Sequence, residues 1–147
     1  MIKSTGLLLI IAITLMAGVS KASDTEHKPF AEKHVVLQIS NSDVQKQTHV
    51  LNVASNLLKH YGPDKIEIEI VAFGPGLRLL LKDNSNTGRI AGLSDTGVRF
   101  AACNNTLTAF TRLLGAEPEL NNNAVHVNAG VVRIMDLVDQ GYMLVKP

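Results

Sequence analysis

The fold of this chain is decided by a strand-to-helix transition, Val98-Arg99-Phe100-Ala101-Ala102-Cys103-Asn104-Asn105-Thr106-Leu107. The apolar run that ends at Cys103 is typical of a strand inside a sheet. Polar residues suited to capping a helix follow it, and apolar residues then recur at helical spacing through Leu114. Cys103 is therefore predicted at a strand end and a helix start, where free backbone N–H groups and the helix dipole favour an anion.

Cys103 is the only cysteine of the 147 residues. A thiolate is the reactive form of cysteine, and a helix N-terminus lowers the thiol pKa below the free value of about 8.5. A free cysteine is also among the most buried residue types and often packs as a small hydrophobe. The placement of Cys103 leaves both interpretations open.

Strand-like and helix-like segments alternate along the rest of the chain. An apolar stripe at helical spacing runs from Val50 to Tyr61, and Leu77–Leu81 is predicted to be a short helix. A further helix is predicted at Ala129–Asp139. Its inward-facing residues are predicted to be Val131, Ile134, Leu137 and Val138. Strands are predicted at residues 34–39, 66–73, 98–103, 125–127 and 142–145. This order predicts an α/β fold, a three-layer α/β/α sandwich on a mainly parallel five-stranded sheet with helices on both faces.

Parallel strands bring their carboxyl ends to one edge of the sheet, where open α/β folds bind ligands. That edge is predicted to hold Asn41, Gly74, Cys103 and Asn128. Gly74-Pro75-Gly76 does not extend to a nucleotide-binding fingerprint and is interpreted as a turn. The five histidines form no closely spaced ligand set with the single cysteine, so neither a metal site nor a cofactor is predicted.

The first residues have the layout of a secretory signal peptide. An apolar run from Leu7 to Val19 follows a basic start and precedes the small-residue cleavage site Ser20-Lys21-Ala22. The run is too short for a typical membrane span. Residues 1–22 are therefore predicted to be removed, leaving residues 23–147 as one soluble, periplasmic or secreted domain without a membrane anchor.

The charge of that domain is close to zero. Removing Lys3 and Lys21 from the 14 basic residues leaves 12, against 13 acidic residues. The chain has no basic stripe with interleaved aromatic residues, which argues against a nucleic-acid partner.

Two segments carry a resemblance to a known family. They are the run from Gly97 to Leu107, which contains Cys103, and Asn128-Ala129-Gly130-Val131-Val132-Arg133-Ile134-Met135-Asp136-Leu137, with Gln140-Gly141-Tyr142 behind it. With these segments the chain resembles the DsrE/DsrF-like proteins, which include sulfur-relay subunits. The resemblance implies an α/β/α sandwich and a homo-oligomer, a trimer or a hexamer. It also implies that Cys103 accepts sulfane sulfur as a persulfide and passes it to a partner.

Two functions of different classes follow. In the first, Cys103 is a sulfur carrier or sulfurtransferase that exchanges sulfur with a donor or acceptor protein. The residues Asn104, Asn105 and Thr106 would stabilise the charged sulfur, and Asn41, Gly74 and Asn128 would shape the pocket. In the second, the protein is a non-catalytic homo-oligomeric binding or assembly module with a structural cysteine. The chain offers no second cysteine to resolve a persulfide and no paired general acid and base, which favours the second class.

Overall fold

The computed structural model describes residues 28–147, so the predicted signal peptide lies outside the described residues. Strands and helices alternate through this part of the chain. They are β1 (Lys33–Ile39), α1 (Val44–Tyr61), β2 (Ile66–Ala72), a 3-10 helix (Gly74–Leu80), α2 (Thr87–Asp95), β3 (Arg99–Cys103), α3 (Asn104–Leu114), β4 (Ala124–Val127), α4 (Gly130–Asp139) and β5 (Met143–Val145). No helix in this range is long and apolar enough to cross a membrane.

The five strands form one sheet in the order β4-β3-β2-β1-β5, and every neighbouring pair is parallel. The predicted α/β sandwich on a five-stranded sheet is confirmed, and the sheet is parallel throughout. Registers such as Ala72 with Ala102, and Cys103 with Val127, bring the carboxyl ends of the strands to one edge. The Cys103 strand is therefore flanked by β2 and β4 where their following helices begin.

The two faces of the sheet are covered unequally. One face packs against α1, α2, α3 and the 3-10 helix and forms the larger core, with fully buried side chains such as Leu51, Leu79 and Phe100. The other face has a small apolar cluster formed with α4, which includes Val36, Val71, Ile134 and Leu137. Helices lie on both faces, as predicted, but one of the outer layers is a single helix within the described residues.

Two of the four residues predicted to face inward on α4 do not. Ile134 and Leu137 are buried, whereas Val131 and Val138 are 54% and 43% exposed. The helix is rotated so that Gly130 also faces the sheet. Apolar spacing could not show this rotation, because apolar residues occur around most of the circumference of α4.

The predicted turn at Gly74-Pro75-Gly76 is the first turn of the 3-10 helix, which begins earlier than the short helix expected at Leu77–Leu81. A methyl group on Gly76 would lie 2.3 Å from the carbonyl oxygen of Ile39. Glycine is therefore required for the close approach of this helix to the end of β1.

Candidate functional site

The candidate site is centred on Cys103, which ends β3 and is the N-cap residue of α3. The residue is only 5% exposed. It lies on the sheet face covered by α4, since a methyl group on Gly130 would lie 3.3 Å from the Cys103 Cβ and 2.9 Å from the Phe73 Cβ. The first residues of both α3 and α4 therefore adjoin the thiol.

Donor groups at the starts of both helices favour the charged form of the thiol. The backbone N–H groups of Asn105 and Thr106 come from α3, and that of Gly130 comes from α4. The Thr106 hydroxyl is a fourth donor. Its oxygen accepts a hydrogen bond of 2.8 Å from the Gly74 N–H, which leaves the hydroxyl proton to point at the sulfur.

These donors determine the pKa of the thiol. Burial is the largest single effect and disfavours the thiolate. The Thr106 hydroxyl and the three backbone amides stabilise the thiolate, and together they outweigh burial, so the pKa of Cys103 lies below its ordinary value. This is the direction predicted from the strand-to-helix transition. Two helix N-termini favour negative charge at one sulfur atom.

The structure separates the other predicted site residues into those near the sulfur and those with other partners. The Gly74 N–H donates to the Thr106 hydroxyl, and the Asn105 amide is among the groups that lower the pKa of Cys103. The carbonyl of Asn128 accepts a hydrogen bond of 3.3 Å from the Asn105 N–H and so ties β4 to the start of α3. Asn128 therefore acts through its backbone.

The side chains of Asn41 and Asn104 have other partners. The exposed Asn41 accepts a hydrogen bond of 2.8 Å from the Asp43 N–H, in the loop before α1. The Asn104 Oδ1 lies 2.7 Å from the His126 Nδ1 on β4. Asn104 thus links α3 to β4, and Asn41 shapes the loop after β1.

Gly130 is the contributor that sequence reasoning missed. The signal for it was the pair Ala129-Gly130, one residue after a predicted strand and at the same sheet edge as Cys103. Small residues there allow the next helix to start close to the neighbouring strand. The spacing did not show that Gly130 packs beside the thiol.

A buried ionic cluster lies under α4 on the same face of the sheet, nearer the amino end of β3. Glu69 is 2% exposed and receives two hydrogen bonds of 2.7 Å from Arg133 and one of 3.0 Å from Arg99. Tyr142 donates to the buried Glu67 and accepts from Arg99. Burial and the bond to Glu67 raise the pKa of Tyr142 to about 12, so its hydroxyl stays protonated.

An open cavity of about 530 Å³ adjoins this cluster, between α4 and the β3–β4 edge of the sheet. Its lining combines apolar side chains such as Val125 and Val132 with Arg99, Arg133 and Asp136. The volume is in the range of small-molecule pockets. Both arginines are already engaged by Glu69, so their positive charge is largely compensated within the lining.

Within residues 28–147, no three His, Cys, Asp or Glu side chains are placed to hold a metal ion. The donors around Cys103 are N–H and O–H groups, which suit an anion rather than a cation.

Comparison with known proteins gives a structural neighbour. A protein of unknown function from Methanobacterium thermoautotrophicum, MTH1491, superposes with a TM-score of 0.70 at 28% sequence identity. The match covers 79% of this chain and 100% of the other. No family model matches the chain, and no curated protein matches it. The likeness supports the α/β sandwich.

Proposed function

We propose that the protein carries sulfane sulfur as a persulfide on Cys103. The observation that carries this proposal is the position of Cys103 at the N-terminus of α3 and against the first residue of α4, where backbone amides of both helices and the Thr106 hydroxyl favour the thiolate. Such donors stabilise a thiolate, and they equally stabilise the charged terminal sulfur of a persulfide. A cysteine that only filled space in the core would need no such donors.

The transfer requires no redox partner. The Cys103 thiolate attacks the outer sulfur of a donor persulfide, R–S–SH. A bond forms between the Cys103 Sγ and that sulfur, the donor S–S bond breaks, and the donor leaves as a thiolate, R–S⁻. An acceptor thiolate then attacks the outer sulfur of the Cys103 persulfide, which releases Cys103 as a thiolate again.

Burial of Cys103 selects the donor. A residue that is 5% exposed is open to a small polysulfide or to one extended sulfur chain, and closed to a bulky disulfide. The same burial shields the persulfide from water and from large thiols. In this proposal the protein is exported, works outside the cytoplasm as a homo-oligomer and exchanges sulfur with a donor or acceptor protein.

Intact-mass spectrometry tests the proposal. Protein comprising residues 23–147 is treated with inorganic polysulfide, desalted and weighed. We expect a gain of one sulfur atom that dithiothreitol removes, and no gain in Cys103→Ser. Sulfur on the serine variant, or none on the native protein, would reject the carrier function.

A second candidate is a homo-oligomeric binding or assembly module, favoured by one observation. The outer face of α4 exposes four large apolar side chains, namely Val131, Val132, Met135 and Val138. Exposed apolar patches of this kind mark interaction surfaces. In this function Cys103 is a structural residue, and it neither loads sulfur nor reacts quickly with alkylating reagents.

A further inference from the structure

The Arg133–Glu69 ion pair lies behind the candidate site on α4 and β2. Arg133 donates two parallel hydrogen bonds of 2.7 Å, from Nε and from one terminal nitrogen, to the two carboxylate oxygens of Glu69. Glu69 is 2% exposed and the Arg133 side chain is 23% exposed. A two-point bond of this kind fixes both the distance and the rotation of the helix that carries the arginine.

Arg133 and Gly130 are three positions apart on α4 and therefore lie on the same face of the helix. The Arg133 N–H also bonds the Ala129 carbonyl at 2.9 Å, which ties it directly to the first turn. Gly130 packs tightly against Phe73 and Cys103, since a methyl group on it would lie 2.9 Å from the Phe73 Cβ and 3.3 Å from the Cys103 Cβ. A small rotation of α4 would therefore move the Gly130 amide away from the sulfur.

From this geometry we infer that Arg133 is a positioning residue for Cys103: its two-point bond to Glu69 sets the rotation of α4 and holds the Gly130 amide on the sulfur. The inference rests on the proposed function, because it concerns the same thiol. It assigns a role to a buried ion pair that the transfer chemistry does not use.

Other features restrain α4 less specifically. Ile134 and Leu137 pack on the sheet, but apolar contacts allow a helix to slide or rotate more readily than a two-point hydrogen bond does. The other ionisable groups on the elements around the thiol are Glu67 on β2, Arg78 on the 3-10 helix, Arg99 on β3, Arg112 on α3, His126 on β4, and Asp136 and Asp139 on α4. His126 bonds Asn104 and Arg99 bonds Glu69, and neither is among the hydrogen-bond donors to the sulfur.

The test is the midpoint of Cys103 alkylation against pH in two variants. Arg133→Lys keeps the positive charge but loses the two-point hydrogen bond to Glu69. We expect the alkylation midpoint of Cys103 to rise by about one pH unit, which means a tenfold smaller thiolate fraction below the midpoint. Glu69→Gln removes a negative charge, so a direct effect of that charge on the thiolate would lower the alkylation midpoint. Loss of the bond that positions α4 would raise the midpoint instead, and this is the result we expect. Arg112→Lys on the exposed surface of α3 is the matched control and should leave the midpoint unchanged.

The Gly130 amide gives an independent signal by nuclear magnetic resonance. In the native protein its proton shift should titrate with the Cys103 midpoint, and in Arg133→Lys the change should shrink. An unchanged midpoint in Arg133→Lys, or a lowered one in Glu69→Gln, would overturn the positioning role. A native midpoint at or above the free-cysteine value would instead reject the carrier function, so the two failures are distinguishable.

Discussion

Cys103 combines burial with a lowered thiol pKa, although burial by itself has the opposite effect. Four donors compensate for the lost water, and they come from two helices that start at the same sheet edge. Thr106 has a double role among them, because it accepts from Gly74 and donates to the sulfur. The chemistry of the site therefore depends on a hydroxyl at this position.

Replacing Thr106 tests that dependence. Thr106→Val removes the hydroxyl at nearly constant shape, and we expect the pKa of Cys103 to rise by about one to two units, since a hydrogen bond to a charged group contributes roughly 1.5–3 kcal/mol. Thr106→Ser retains the hydroxyl and should keep the native value. The pH dependence of alkylation measures both variants.

Thr108→Val, on the exposed side of the same helix, is the control for a change in α3 itself. If Thr106→Val leaves the midpoint at the native value, the hydroxyl does not stabilise the thiolate.

At the level of elements, the 3-10 helix after β2 is positioned by close contact with the backbone of β1. Gly76 lies against Ile39 and Ser40, and a methyl group there would be 2.3–2.8 Å from their backbone atoms. Gly74 at the start of this helix also binds Thr106. The contact between the β1 end and the 3-10 helix therefore supports the wall of the site.

A matched pair of glycine substitutions tests this packing. Gly76→Ala should lower the free energy of unfolding by about 1–3 kcal/mol or more, because backbone atoms cannot yield to the new methyl group. Gly92→Ala, in the middle of α2 with nothing within 4 Å of the new methyl group, should raise it by about 0.5–1 kcal/mol. Urea denaturation of both variants measures the difference. Equal effects would show that Gly76 is not packed as described.

On the scale of the whole molecule, the sheet is covered by several helices on one face and by α4 on the other. The apolar outer face of α4 and the adjoining Val125 are exposed in the single chain. Burial of such a surface is favourable at about 25 cal/mol per Å². This arrangement supports the proposed homo-oligomer with α4 at its interface.

Light scattering of protein comprising residues 23–147 should give a multiple of the monomer mass, with a trimer favoured. Met135→Lys places a charge at the centre of the apolar face and should reduce the mass to that of one chain without loss of secondary structure. Leu113→Lys, exposed on α3 and away from α4, is the control. A native monomer at micromolar concentration would contradict the homo-oligomer.

Most of the fold could be predicted from local patterns. The alternation of strands and helices and the strand end at Cys103 each depend on a few neighbouring residues. The helix rotation at α4 could not be predicted, because it is set by the bond between Arg133 and Glu69, which are 64 positions apart. The Gly130 donor was missed for the same reason.

The central claim is that Cys103 is a stabilised thiolate, and the rate of its alkylation in the folded protein tests this most directly. Protein comprising residues 23–147 is treated with iodoacetamide across the pH range, and the single thiol makes the assignment unambiguous. Because the pKa is lowered, the rate should reach half its plateau below the free-cysteine value of about 8.5, while the urea-unfolded protein reaches it near that value. A folded-state midpoint above the unfolded one would show that burial outweighs the four donors, and would contradict the account.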